Sequence, residues 1–131
     1  MPTRIASCSC GSLTAQVTGD PVRVSICHCL ACQRRTGSVF GEQARFAREG
    51  VTISGASTRY VRVGDEGSRI TFHFCPNCGA TVYYEPEGLE AFVAIPVGAF
   101  ADPHFPSPQV SVYEDRMHAW VVPPAEAQHI P

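Results

Sequence analysis

The chain has 131 residues, 44% of them hydrophobic, and a formal net charge of −2 at pH 7. This length fits a single domain over residues 1–131, and no apolar run approaches the roughly 18 residues of a membrane span. The ten basic residues are scattered, whereas a general nucleic-acid binder needs clustered lysine and arginine, so we expect neither nucleic acid nor a membrane as a partner.

Short alternating segments predict a mainly β fold. Leu13, Ala15 and Val17 alternate with polar residues, which is typical of a half-buried strand. From residue 38 the chain is again strand-like, with Phe40 and Phe46 as core candidates. Other strands are predicted at residues 22–26, 51–53, 60–63, 68–74, 80–85, 89–97, 110–113 and 118–122. The four residues Gly64-Asp65-Glu66-Gly67 then form the loop of a β-hairpin.

Little helix is expected. The segment 33–37 is short and polar, and it predicts one helical turn that ends at Gly37. Residues 102–108 form a proline-rich loop, and residues 123–131 are expected to form a mobile tail outside a core of about residues 5–122.

The seven cysteines favour metal binding over disulfides. A disulfide framework usually comes with a secretion signal and an even number of cysteines, and the segment 1–7 has no apolar run of that kind. We therefore expect a cytoplasmic protein with reduced cysteines.

The densest group of thiols is Cys27-His28-Cys29-Leu30-Ala31-Cys32. In an extended segment Cys27 and Cys29 share a face while His28 points away, and Cys32 returns to them in a following turn. Zinc binds thiolates at about 2.3 Å in a four-coordinate tetrahedron, so these three ligands leave one vertex open.

The other four cysteines form two pairs, Cys8 with Cys10 and Cys75 with Cys78. Structural zinc sites join two such pairs and are closed, whereas catalytic sites keep three protein ligands and an open position. The seven thiols therefore suggest one structural zinc and one catalytic zinc. In the alternative, the three-thiol cluster is also structural, and His73, His104 or His118 is its fourth ligand.

An open zinc with three thiolates carries a net charge of −1, which makes it a weak activator of water. An incoming thiol suits it better, because coordination removes the thiol proton and leaves a nucleophile. Arg34 and Arg35 lie just after the cluster and are candidates for binding that substrate; the alternative is that they form a solvated face.

These motifs resemble the glutathione-dependent formaldehyde-activating enzyme family, whose domain is shared with centromere protein V. The resemblance is carried by Cys8-Ser9-Cys10-Gly11, Cys27-His28-Cys29-Leu30-Ala31-Cys32, Thr36-Gly37-Ser38 and Phe74-Cys75-Pro76-Asn77-Cys78-Gly79. It implies a zinc-bound, β-tent-like fold of several small antiparallel sheets. It also implies structural zinc at Cys8, Cys10, Cys75 and Cys78, and catalytic zinc at Cys27, Cys29 and Cys32.

The resemblance further implies a carbon–sulfur lyase that joins glutathione and formaldehyde into S-hydroxymethylglutathione. Its partners are then a small thiol such as glutathione and a small aldehyde. The alternative function is a zinc-stabilised protein-interaction module, in which both zinc sites are closed and no reaction is catalysed.

Overall fold

The computed structural model describes residues 2–64 and 66–131, and it confirms the mainly β class. Asp65, in the loop predicted for the hairpin, lies outside the described residues. The strands are β1 Thr3–Ser7, β2 Thr14–Thr18, β3 Arg23–Cys27, β4 Gly41–Ala47, β5 Val51–Ser54, β6 Thr58–Val63, β7 Arg69–Phe74, β8 Thr81–Pro86, β9 Phe92–Pro96, β10 Val110–Val112 and β11 Gln128–His129. One α-helix, α1 Leu30–Thr36, follows β3 in the described part of the chain.

The strands form two sheets. The smaller sheet has the order β1-β2-β5 and is antiparallel throughout. The larger has the order β11-β10-β3-β4-β9-β8-β7-β6, in which β10 runs parallel to both of its neighbours. Strand β1 was not predicted from the sequence, because Ile5 on that strand is exposed and a single buried residue, Ala6, gives no alternation to detect.

The two faces of the larger sheet have different neighbours. Buried residues of β3, β4 and β9 such as Val24, Phe46 and Ile95 pack with Leu13 and Val17 near the smaller sheet and form the main core. Residues at the alternate positions of the same strands point to the opposite face, where they line a cavity. Because successive residues of each strand point to opposite faces, one half of the side chains builds the core and the other half lines the candidate site.

Helix α1 is longer than predicted. It begins at Leu30, inside the cysteine cluster, instead of at Gln33, and it ends as expected at Gly37, which has φ of 74°. It is seven residues long, and among the described residues no helix has both the length and the apolar character to cross a bilayer.

Two C-terminal predictions differ from the structure. Residues 118–122, predicted as a strand, are not one, because Val121 N–H donates to His118 O at 3.0 Å and closes a turn instead. The segment 123–131, expected as a mobile tail, has a defined place: β11 pairs with β10, and Ala127 is buried. A two-residue strand that pairs with another short strand is too short to produce a periodic signal in the sequence.

The turn that follows β5 depends on a glycine at residue 55. Gly55 has φ of 100°, and a Cβ there would lie 1.9 Å from Ser12 O and 3.1 Å from Leu13 Cα. Gly88 also has a positive φ, 86°, but a Cβ there would meet nothing within 4 Å. Substitutions at Gly88 and Gly55 can therefore distinguish the cost of backbone strain alone from the added cost of a steric overlap.

We predict that Gly88→Ala costs about 1 kcal/mol of unfolding free energy, the usual penalty for a non-glycine residue in this conformation. Gly55→Ala should cost at least about 2 kcal/mol more, since the backbone at Ser12 must also move. Urea unfolding of the metal-loaded protein measures both values. Equal losses in the two variants would contradict the close approach.

Candidate metal centres

Four thiols from distant parts of the chain meet at one point. The Sγ atoms of Cys8, Cys10, Cys75 and Cys78 lie within 4.8 Å of one another. Cys10 Sγ is 3.7 Å from Cys8 Sγ and 3.6 Å from Cys75 Sγ. A tetrahedral metal bound about 2.3 Å from each sulfur requires sulfur–sulfur distances of about 3.8 Å. This four-thiol cluster therefore has the spacing of a closed, four-coordinate centre.

Backbone amides support the four-thiol cluster. The N–H of Leu13 donates to Cys8 Sγ at 3.2 Å. The N–H groups of Asn77 and Cys78 donate to Cys75 Sγ at 3.3 and 3.4 Å. Such donors favour the thiolate, which is the form that binds a metal.

The hydroxyl of Ser12 is a further donor, which the sequence analysis did not identify. Its Oγ lies 3.1 Å from both Cys10 Sγ and Cys75 Sγ. The Ser12 hydroxyl, followed by the Asn77 side chain, lowers the pKa of Cys10 to about 5. Cys10 is therefore ionised at neutral pH. The only local signal for this role is that Ser12 follows Cys10 by two residues.

The other three cysteines meet where β3 ends and α1 begins. Cys27 is the last residue of β3, Cys29 is the N-cap of α1, and Cys32 lies in its first turn, with all three Sγ atoms within 4.8 Å of one another. Cys29 Sγ accepts a hydrogen bond from the Cys32 N–H at 3.3 Å. His28 is buried and points away from this three-thiol cluster, with Nε2 2.9 Å from Ser111 Oγ.

Hydrogen bonds among the three thiols shift their pKa values in opposite directions. Hydrogen bonds from Cys27 and then Cys32 lower the pKa of Cys29 to about 2. The same contact with Cys29 raises the pKa of Cys27. One thiol of the cluster is thus ionised by its neighbours, whereas ionising all three requires a cation between them.

No histidine closes the three-thiol cluster. In residues 2–64 and 66–131, no histidine, aspartate or glutamate has a ligand atom close enough to join the three sulfurs. His73 Nε2 instead lies 2.7 Å from Glu85 Oε1, and His118 Nε2 lies 3.0 Å from Gln33 Oε1. His104 is exposed. The geometry thus favours the open site over the histidine-closed alternative.

A cavity of about 510 Å³ adjoins the three-thiol cluster. Cys27, Cys29 and Cys32 all line it, whereas none of the cysteines of the four-thiol cluster does. A volume of this size is within the range of small-molecule sites. The three-thiol cluster therefore faces a space of the size that a small substrate needs.

The two arginines predicted beside this cluster have different positions. Arg35 lines the cavity, with its guanidinium carbon 5.0 Å from the centroid of the Phe72 ring and 5.3 Å from that of Tyr84. Arg34 is exposed and does not line the cavity. Arg35 remains a candidate for substrate binding, and the position of Arg34 fits the alternative of a solvated face.

Gly41 makes room for this arrangement. It pairs with Cys27 in the β3–β4 ladder, and a Cβ there would lie 3.2 Å from Arg35 Nη2 and 3.6 Å from Cys32 Sγ. A larger residue would therefore press on both the cluster and its neighbouring cation.

Four more arginines line the cavity, and the sequence analysis did not identify them: Arg23, Arg45, Arg62 and Arg116. With Arg35, half of the ten basic residues converge on one space in a chain whose net charge is −2. Among the described residues, no ion pair joins any of the five to a carboxylate. The cavity is therefore suited to an anion.

A sequence signal existed for one of these arginines. Arg23 and Ser25 alternate with the buried Val24 and Ile26, so they share the face of Cys27. Reading that alternation back from the cluster would have identified Arg23. The others come from distant elements, and no local pattern connects them to the cysteines.

Comparisons with known proteins identify a family and a similar fold. The family model described as "Glutathione-dependent formaldehyde-activating enzyme" matches residues 3–116. The fold is similar to a crystal structure of a Rhodobacter sphaeroides protein, a structural-genomics target, with a TM-score of 0.56 and 20% sequence identity over 72% of this chain and 85% of that one. No curated protein matches the sequence significantly.

The two clusters should differ in their effect on stability. Cys75→Ser breaks the link between segments 65 residues apart, and metal binding to such a site is folding free energy. We predict that its melting temperature falls by at least about 10 °C and that one metal equivalent is lost.

Cys29→Ser is the matched control, because the loop closed by the three-thiol cluster is short and little constraint is lost. Its melting temperature should fall by less than about 4 °C. Thermal unfolding and metal analysis of both variants test this. Equal melting temperatures would contradict the division into a structural and an open centre.

Proposed function

Because the chain belongs to the glutathione-dependent formaldehyde-activating enzyme family, we propose that it is a zinc-dependent carbon–sulfur lyase of the S-hydroxymethylglutathione synthase type. In the synthetic direction, the glutathione sulfur forms a bond to the carbon of formaldehyde. The carbonyl π pair moves to oxygen, and that oxygen gains the proton that the thiol has lost.

The observation that carries this proposal is the contrast between the two clusters. The four-thiol cluster is saturated with protein ligands, whereas the three-thiol cluster has no fourth protein ligand among the described residues and borders the cavity. We assign zinc to both, because all seven donors are cysteine sulfurs and those of each cluster lie within 4.8 Å of one another. When bound at the three-thiol cluster, zinc supplies a Lewis acid that keeps an incoming thiol ionised.

Two arginines near the three-thiol cluster offset its negative charge. Arg35 and Arg62 each place the guanidinium carbon 5.0 Å from the centroid of the Phe72 ring. The charge of Arg62 helps to lower the pKa of Cys29, after the thiol hydrogen bonds and the backbone N–H of Cys32. Because a fourth thiolate would bring the centre to −2, these two cations favour its binding.

Tyr84 is the candidate hydrogen-bond donor to the aldehyde oxygen. It is buried, lines the same cavity, and burial raises its pKa. Its hydroxyl therefore keeps its proton at neutral pH and can donate a hydrogen bond where negative charge develops on oxygen. The proposed chemistry also requires reduced thiols, which supports placing the protein in the cytoplasm.

The test of this function combines binding with turnover. A free thiol with a pKa of about 8.5 is only a few per cent ionised at pH 7, so ionisation alone should speed adduct formation by about tenfold to a hundredfold. We expect glutathione to add a fourth sulfur to the three-thiol centre of the zinc-loaded protein, as seen by X-ray absorption spectroscopy. Adduct formation with formaldehyde should then exceed the rate in buffer.

Cys29→Ser should lose this acceleration while keeping its zinc at the four-thiol cluster. If the wild-type protein binds no fourth sulfur and adds nothing to the rate in buffer, the lyase function is wrong. The interaction-module alternative would then be the better explanation of the zinc sites.

A further inference from the structure

We propose that Arg23 and Arg45 form a carboxylate-binding subsite at the end of the cavity away from the three-thiol cluster. This subsite would select a peptide-sized anionic thiol over a short thiol. The inference rests on the proposed function, since it assigns the residues that bind the carboxylates of the substrate proposed for the same site.

The subsite is placed by the register of β3 and β4. Cys27 pairs with Gly41, Ser25 pairs with Gln43, and Arg23 pairs with Arg45. All of these residues except Gly41 line the cavity. Four residues of strand put the Cα atoms of Cys27 and Arg23 about 13 Å apart. The arginine pair therefore lies four residue pairs along the ladder from Cys27, with the cavity-facing pair Ser25–Gln43 between them.

Two like charges directly opposite each other destabilise a pair of strands. Burial, and then the charge of Arg23, lowers the pKa of Arg45. Arg23 Nε is buried and has no hydrogen-bond partner among the described residues. Glu66 also lines the cavity but forms no ion pair with either arginine. A bound carboxylate would relieve this repulsion and supply the missing acceptor.

The position of Arg45 is fixed by its packing. Its guanidinium carbon lies 5.7 Å from the centroid of the Phe92 ring, which also lines the cavity. An arginine held on an aromatic ring loses less conformational freedom when it binds a carboxylate.

The Ser25–Gln43 pair, between the thiols and the arginines, is suited to binding an amide group. Gln43 Nε2 donates to Ser25 Oγ at 2.6 Å, while the other end of its amide, Oε1, is buried without a partner among the described residues. A peptide bond of the substrate passing this point would satisfy that group. The ladder thus presents thiol ligands, an amide partner and a cation pair in order.

This order sets a length for the substrate. In cysteine the carboxylate is three bonds from the sulfur, which is short beside the Cα separation of about 13 Å between Cys27 and Arg23, so we expect a longer thiol to reach the arginine pair. A carboxylate one residue further along a peptide gains up to about 3.6 Å of reach. Glutathione carries a carboxylate beyond each of its peptide bonds, and 2-mercaptoethanol carries none.

The experiment compares these thiols in arginine variants of the zinc-loaded protein by calorimetric titration. The wild type should bind glutathione at least tenfold more tightly than 2-mercaptoethanol. Arg23→Gln and Arg45→Gln should each weaken glutathione binding at least tenfold and change 2-mercaptoethanol binding less than threefold. Arg45→Lys keeps the positive charge but loses the two-pronged guanidinium contact. Its affinity for glutathione should therefore lie between that of the wild type and that of Arg45→Gln.

Arg59→Gln is the matched control, because Arg59 is exposed on β6 and does not line the cavity. It should bind both thiols like the wild type. Removing one of two opposed cations should not lower the melting temperature, so a folded protein is expected for each variant.

S-methylglutathione separates this inference from the proposed function, because it has the carboxylates but no free thiol. If the arginine variants bind glutathione like the wild type while adduct formation is accelerated, the subsite is wrong and the lyase function stands. If S-methylglutathione binds only when Arg23 and Arg45 are intact, yet no adduct formation is accelerated, the subsite stands and the lyase function is wrong. Failure of both glutathione and S-methylglutathione to bind overturns the subsite.

Discussion

The contact between the sulfurs of Cys10 and Cys75 is the constraint on which the rest of the structure depends. These atoms are 3.6 Å apart although the residues are separated by 65 positions. Cys8 and Cys10 follow β1 of the smaller sheet, and Cys75 and Cys78 follow β7 of the larger one. With the metal that we propose for it, the four-thiol cluster would join the two sheets at a point where a small domain gains most from a crosslink, since the closed loop is long. Amide donors already favour the thiolates that this crosslink needs.

With the sheets held together, the larger sheet can use its two faces differently. One face is buried in the main core, and the other carries the arginines and the three-thiol cluster. Charged side chains on the second face are tolerated because the cavity is open to solvent or ligand. The cost is a concentration of unpaired cations beside thiols, which is unfavourable unless an anion is bound. We interpret this cost as the physical basis of substrate recognition in the proposed function.

In the proposed function, one ligand type supports two roles. The sulfurs of the four-thiol cluster come from two turns that are far apart in sequence, so we expect their loss to affect the whole domain. The thiolates of Cys27, Cys29 and Cys32 come from one strand end and the helix after it, so the local backbone alone can hold them. The second centre can therefore keep an open position without weakening the fold, which is the condition for exchange of a substrate.

The sequence by itself determined the cysteine grouping, the mainly β class and the end of α1 at Gly37, because these depend on local spacing and alternation. The alternation of residues 23–27 also indicated that Arg23 and Cys27 share one face of a strand. It did not indicate that this face lines a cavity. Only the tertiary structure decided that Arg45 lies opposite Arg23, that Arg62 reaches the cluster from β6, and that Arg35 but not Arg34 enters the cavity. The physical reason is that strand register and helix rotation are set by packing between segments distant in the chain, and no local pattern specifies them.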